Sequence, residues 1–146
     1  MNEINEDNLI KTGLTNKLTV DGITKAYDVY KIKLNELYYN DQNDRIATWI
    51  SKYKAENELE NFDLNDIEYY NDIIHEFIKK SDEKAFKKTK NNIKALEQTE
   101  PAIILKDGRI IDGNRRFTCL RELSKENPKF NYIEAMIIGK DLSLIH

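Results

Sequence analysis

The stretch Ala102–Leu123 constrains the fold more than any other part of the chain. An apolar run ends at the turn Asp107-Gly108, and a second apolar run leads into Asp112-Gly113-Asn114-Arg115-Arg116. A helical pattern begins there and continues until Asn127-Pro128 stops it. This order predicts two strands joined by a tight turn, followed by a helix whose N-terminus carries a glycine and two arginines.

That helix N-terminus has the chemistry of an anion site. Its first backbone N–H groups lack partners within the helix and the helix dipole is positive there, so phosphate is a favourable occupant. Gly113 lets the main chain approach a ligand, and the guanidinium groups of Arg115 and Arg116 match phosphate oxygens in pairs. The alternative is a simple turn followed by a solvated first turn of helix. Because arginine opposes the dipole at this end, two in succession favour the anion site.

The composition is that of one ordinary domain. The chain has 146 residues, 40% of them hydrophobic, and its formal net charge of −3 gives no global basic field for nucleic acid. A single cysteine, Cys119, excludes an internal disulfide and suits a reducing cytoplasm. No apolar run approaches a membrane span, and the acidic start is unlike a signal peptide, so we expect a cytoplasmic protein without a membrane partner.

The first two thirds of the chain predict a hairpin and three helices. Residues 1–16 are polar and lack periodicity, so we expect a flexible N-terminal arm, with the domain spanning residues 17–146. Strand patterns on either side of Asp21-Gly22 predict a hairpin. Three stretches with helical spacing follow: one from Ile46 to near Leu59, one capped by Asp63 or Asn65, and one opening at Ser81.

Two features of these helices have alternative explanations. His75 lies opposite the apolar stripe of the second helix, which predicts a surface histidine rather than a metal ligand. Seven lysines between Lys79 and Lys94 face only two carboxylates. They are either a solvated helix face or a patch for a polyanion such as DNA, with Lys84, Lys87 and Lys88 as the candidate contacts.

The end of the chain predicts one more strand. Tyr132–Ile138 is apolar enough to lie centrally in a sheet. Asp141 and Ser143 have the pattern of a cap for a helix that the chain does not go on to build. We therefore expect the N-terminal module of a longer protein.

Gly113–Cys119 resembles the glycine-glutamate-arginine-arginine box of ParB partition proteins and of the wider ParB/sulfiredoxin-like family, which includes the ParB-like nuclease domains. Asn40–Arg45 has the spacing of the family's N-P-x-x-P-R box without its prolines, and Ile93–Pro101 resembles the segment that leads into its core strand. The similarity spans roughly Tyr27–Ile138. It implies an α+β fold with a small mixed sheet flanked by helices, and a nucleotide whose phosphates lie on the box.

The resemblance also assigns residues. Gly113 and Arg116 would hold phosphates beside Asn114 and Arg115, and Arg45 would reach the same pocket. ParB proteins have a glutamate at the Asn114 position, so its loss favours binding over hydrolysis. Sulfiredoxins have their catalytic cysteine there, and an amide cannot act as that nucleophile.

Two side chains near the box have more than one expected role. Asp112 restores a carboxylate that could hold Mg²⁺ on a bound nucleoside triphosphate, or it could N-cap the helix. With Asn114 it is the candidate catalytic residue. Cys119 falls at a small-residue position of the family's box and is expected to pack as a small hydrophobe.

Three functions follow, in order of support. The first is a phosphate-binding module for a nucleoside triphosphate with Mg²⁺, acting as a switch or NTPase in a DNA-associated system. The second is a metal-dependent DNA nuclease, for which Asp112 and either Asp44 or Glu100 would have to converge on a metal. The third is a catalytically idle interaction domain.

Overall fold

A five-stranded mixed sheet with four helices forms the domain over the residues that the computed structural model describes, which are 3–97 and 100–139. The strands follow the order β1-β2-β5-β3-β4, and only β3 and β5 pair in parallel. The architecture is therefore α+β. The strands are Ile10–Val20 (β1), Ile23–Lys33 (β2), Ala102–Ile104 (β3), Ile110–Asp112 (β4) and Tyr132–Ile137 (β5), and the helices are Ala47–Glu56 (α1), Ile67–Ser81 (α2), Glu83–Leu96 (α3) and Asn114–Glu126 (α4).

The last strand lies in the middle of the sheet, as its apolar sequence predicts. Met136 on β5 pairs antiparallel with Val29 on β2, and Ala135 pairs parallel with Ala102 on β3. One hydrophobic core joins this part of the sheet to the helices, because alternate residues of the central strands face apolar stripes on α2, α3 and α4. Its members with no exposed surface include Ile32, Ile74, Ile104, Ile110, Leu123 and Ile133.

The predicted hairpin is present, but it begins earlier than the sequence indicates. β1 starts at Ile10, so the prediction of a flexible arm over residues 1–16 is wrong from that point. Ile4 is also part of the core, and its backbone N–H donates to the Lys106 carbonyl at 2.9 Å. The backbone N–H and C=O groups of β1 are satisfied by pairing with β2, whatever side chains the strand carries. The periodicity of apolar residues reports only on side chains, so it does not reveal this part of the strand.

The helix starts differ from the predictions by a few residues. Asp66, rather than Asp63 or Asn65, caps α2 by accepting a hydrogen bond from the Tyr69 N–H. Asp63 instead accepts from the Asn65 N–H in a turn of its own. The third helix begins at Glu83 after the cap Asp82, not at Ser81.

His75, a residue of α2, is buried where this helix faces α4, so the prediction of a surface histidine is wrong. Arg121 Nη1 lies 2.8 Å from His75 Nδ1. Because a guanidinium has no acceptor, Nε2 carries the ring proton and donates to Glu122 Oε2 at 2.8 Å. Burial lowers the pKa of His75 below its ordinary value. Both partners belong to a distant helix, so the local pattern around His75 gives no sign of them.

The predicted cap at Asp141 and Ser143 lies outside the described residues. Within them, no helix combines the length and the apolar character that a membrane crossing requires.

Candidate functional site

The strand-to-helix corner forms as the sequence predicts. β3, the turn at Asp107-Gly108, β4 and α4 follow one another, and Gly113 lies at the corner with φ 114°. A Cβ at this position would approach the Ala102 Cβ to 2.8 Å and Arg116 Nη2 to 3.4 Å. Glycine is therefore required both by the left-handed backbone and by the close packing, and the Arg116 guanidinium lies against the main chain of the corner.

The N-terminus of α4 is open. No side-chain hydrogen bond from the described residues caps it, so Asp112 does not act as its N-cap. The Asp112 side chain is exposed and faces a cleft of about 910 Å³ at this corner. The cleft is lined by Asn40, Gln42, Asn43, Asp44, Arg45, Ile78, Ser81, Thr89, Asn92, Ile93, Leu96, Glu97, Glu100, Ile111, Asp112, Gly113, Asn114, Arg115 and Arg116.

Arg45 reaches this cleft from a separate part of the chain. It lies in the 3-10 turn Asp44–Ile46, whose cap Asn43 accepts a hydrogen bond from the Arg45 N–H at 2.9 Å. Ile46, the next residue, has no exposed surface and anchors the turn in the core. Arg45 and Arg116 therefore line one cleft, which is the arrangement that the family resemblance implies.

The polar groups at the mouth of α4 are incompletely paired within the described part of the chain. Arg116 Nη1 lies 3.3 Å from Glu100 Oε2, but Arg116 Nε is buried and has no hydrogen-bond partner. Asn114 Oδ1 is also buried and unpaired. Arg45 and Arg115 form no ion pair with any described residue. A buried donor without an acceptor costs about 1–3 kcal/mol, so a ligand that supplies acceptors here is favoured.

The cleft carries charge of both signs. Among the described residues that line it, three arginines face four carboxylates, those of Asp44, Glu97, Glu100 and Asp112. Asp112, Asp44 and Glu100 share the cleft, as the nuclease hypothesis requires, yet within residues 3–97 and 100–139 no group of three or more His, Cys, Asp or Glu could hold a metal ion. A single carboxylate fits Mg²⁺ only when phosphates and waters complete its shell.

The lysine-rich stretch from Lys79 to Lys94 spans the end of α2 and most of α3, and it has fewer unpaired charges than the sequence indicates. Lys79 and Lys90 pair with Glu122, and Lys94 pairs with Glu126. The three candidate DNA contacts are exposed and form no ion pair with the described residues, but none of them lines the cleft. They are Lys84, Lys87 and Lys88.

Cys119 is a packed core residue, as predicted. It has no exposed surface, and its Sγ lies 3.6 Å from the Phe86 carbonyl oxygen. Burial raises the pKa of the thiol to about 12, so the nucleophilic thiolate is not populated at neutral pH.

One wall of the cleft was not predicted. α3 contributes Thr89, Asn92, Ile93 and Leu96 to the lining, and Leu96 is 71% exposed. The sequence carries one signal for this wall, since Thr89 interrupts the apolar stripe formed by Phe86, Ile93 and Leu96.

Comparison with protein-family models, with curated proteins and with solved structures finds no match to this chain. Its function is therefore to be inferred from the geometry of the cleft.

Proposed function

We propose that this domain binds the phosphates of a nucleoside triphosphate, together with Mg²⁺, in the cleft at the N-terminus of α4, as a module of the ParB/sulfiredoxin type. The observation that carries the proposal is Arg116, whose buried Nε lacks an acceptor at an uncapped helix N-terminus. Phosphate oxygens are acceptors for both the guanidinium and the free backbone N–H groups.

Each neighbouring residue has a role that follows from its position. Gly113 brings the main chain close to the phosphates, while Arg45 and Arg115 offer further guanidinium groups from two different elements. Asp112 is the residue that would hold Mg²⁺, which neutralises phosphate charge when it is bound. Asn114 Oδ1 can accept a hydrogen bond from a ligand hydroxyl or a metal-bound water.

The mixed charge of the cleft favours a metal–nucleotide complex over a free anion. The arginines attract phosphates, and the carboxylates repel them unless a cation is bound at the same time. Hydrolysis is a separate prediction, because an Asn114 amide cannot accept a proton as a general base and Asp112 would have to orient the water. A role as a nucleotide-dependent switch in a DNA-associated system also depends on nucleotide binding in this cleft.

Nucleotide binding can be tested by thermal shift and calorimetry with the four NTPs, each with and without Mg²⁺. A few charge-assisted hydrogen bonds, offset by lost ligand freedom, give on the order of 5–8 kcal/mol, which corresponds to micromolar to millimolar affinity. Arg116→Ala and Arg45→Ala are expected to remove or weaken the stabilisation. Lys52→Ala, which deletes an exposed positive charge on α1 outside the cleft, is the matched control. The proposal fails if no NTP stabilises the protein in the presence of Mg²⁺.

A substitution at Glu100 distinguishes the phosphate-binding function from the nuclease function. The carboxylate of this residue forms an ion pair with Arg116 Nη1, so a phosphate must compete with Glu100 for that guanidinium nitrogen. Glu100→Gln weakens that competitor and removes a negative charge, and we expect it to tighten NTP binding several-fold. If Glu100 instead serves a nuclease metal, the same substitution abolishes metal-dependent cleavage of plasmid DNA and leaves NTP binding unchanged.

A further inference from the structure

Four aromatic side chains form a contiguous, partly exposed surface where α1 packs against α2. This aromatic patch consists of Trp49, Tyr53, Tyr69 and Phe77. The Phe77 ring centroid lies 6.0 Å from those of Trp49 and Tyr53, and the hydroxyls of Tyr53 and Tyr69 are 3.1 Å apart. Trp49 is 39% exposed and Tyr69 is 60% exposed. Neighbouring exposed aromatic rings are enriched where proteins bind other proteins.

The chain around the aromatic patch has an acidic excess, because residues 49–80 contain eight carboxylates and four lysines. Residues 55–78 contain eight carboxylates and neither lysine nor arginine. Glu58, Glu60 and Glu76 are exposed and form no ion pair with any described residue. Glu76 follows Tyr69 by two helical turns and therefore lies on the same side of α2. The eight carboxylates are those of Glu56, Glu58, Glu60, Asp63, Asp66, Glu68, Asp72 and Glu76.

We propose that the aromatic patch docks a basic segment of a partner protein. Charge complementarity selects the occupant, because cationic side chains neutralise the unpaired carboxylates whereas acidic ones are repelled. The rings add a preference for arginine, whose planar guanidinium stacks on aromatic faces, and for apolar side chains between the cations. The proposal does not depend on nucleotide binding, since none of the four aromatic residues lines the cleft.

Trp49 is the only tryptophan in the chain, so its fluorescence reports directly on the patch. The whole protein is titrated with a tryptophan-free amphipathic peptide of leucine and arginine, and separately with the leucine–glutamate peptide of the same length. We expect a saturable change in Trp49 emission with the basic peptide alone, and an affinity that falls as salt is added.

Two double variants locate the binding. Glu60→Lys/Glu76→Lys reverses two unpaired charges of the acidic segment 55–78 and is expected to weaken the affinity about tenfold. Glu3→Lys/Glu6→Lys makes the same change in net charge near the N-terminus and is expected to leave the affinity unchanged. Tyr69→Ser, at an exposed position, is expected to weaken binding while the circular dichroism spectrum stays that of the folded protein.

The proposal is overturned if the basic peptide gives no saturable change, or if the acidic peptide gives the same one. Equal weakening in both double variants overturns it as well, because the attraction is then not specific to the patch. A further outcome concerns a second copy of the chain, whose exposed Lys84, Lys87 and Lys88 are also basic. If Trp49 emission shifts with protein concentration in the absence of peptide, that copy is the occupant and the assignment to another protein is wrong.

Discussion

Glu122 on α4 accepts hydrogen bonds from three basic side chains, and its removal tests how much the buried polar cluster stabilises the fold. His75 Nε2 lies 2.8 Å and Lys79 Nζ 3.1 Å from Oε2, while Lys90 Nζ lies 3.1 Å from Oε1. The Glu122 side chain is 17% exposed. Burial alone would raise its pKa, but the three donors outweigh burial and lower the pKa to about 2 from the ordinary 4.5.

The lowered pKa gives the magnitude and the sign of the effect. A folded-state pKa of about 2 against 4.5 in the unfolded chain corresponds to about 3 kcal/mol of stability at neutral pH. Because the unfolded chain binds the proton first, this contribution is present above pH 4.5 and is lost as pH falls toward 2. Glu122→Gln is therefore expected to lower the free energy of unfolding by about 3 kcal/mol at neutral pH and to flatten its acid dependence below pH 4.5.

Urea unfolding at a series of pH values measures both effects. Glu126→Gln makes the same chemical change one turn later, where the carboxylate is 53% exposed and lies 3.6 Å from Lys94 Nζ. That control is expected to change stability by no more than about 0.5 kcal/mol. Equal losses in the two variants, or an unchanged acid dependence in Glu122→Gln, would refute the reasoning.

Three further predictions concern the helix that carries the site. Gly113→Ala is expected to destabilise the protein by about 2 kcal/mol or more, measured by urea unfolding. The backbone at this position has a positive φ that strains alanine, and the new Cβ would lie 2.8 Å from the Ala102 Cβ. The Cys119 thiol, with a pKa near 12, is expected to resist alkylation in the folded protein at neutral pH and to react once urea unfolds it; rapid labelling of the native state would contradict its burial. Thr118 Oγ1 donates its proton to the Asn114 carbonyl, so the Tyr39 hydroxyl donates to Thr118. Tyr39→Phe is thus expected to cost about 1 kcal/mol and Thr118→Val about 1–3 kcal/mol, since the valine strands a buried hydroxyl; the reverse order of unfolding free energies would reassign the donor.

The parts of the fold that the sequence predicts are those with local signals. The turn at Asp107-Gly108, the corner at Gly113 and the apolar run of β5 each need only neighbouring residues to be recognised. The burial of His75 is not predictable in this way, because its partners Arg121 and Glu122 lie on another helix. A histidine opposite the apolar stripe of its own helix looks the same in the sequence whether or not such partners exist.

The candidate site shows the same division. Arg116 and Arg45 were predicted because each belongs to a short motif, and the structure brings both to one cleft. The ion pair between Arg116 and Glu100 and the wall formed by α3 were not predicted, because each joins α4 to a different part of the chain and needs the tertiary packing. Whether the cleft holds a nucleotide is a prediction that the binding experiments test.

The central place of β5 sets an order on assembly during synthesis. The hairpin β1–β2 leaves the ribosome early, and the unit formed by β3, β4 and α4 follows much later, but neither pairs with the other. Each therefore emerges as half a sheet with an open edge. Tyr132–Ile137 is the described strand that pairs with both halves, beside the shorter backbone links from Ile4 to Lys106 and from Tyr38 to Gly108 and Ile110. Until that strand arrives the nascent chain has two incomplete halves that share no backbone ladder, and a chain that ends before Tyr132 is expected to need chaperone protection rather than to fold in part.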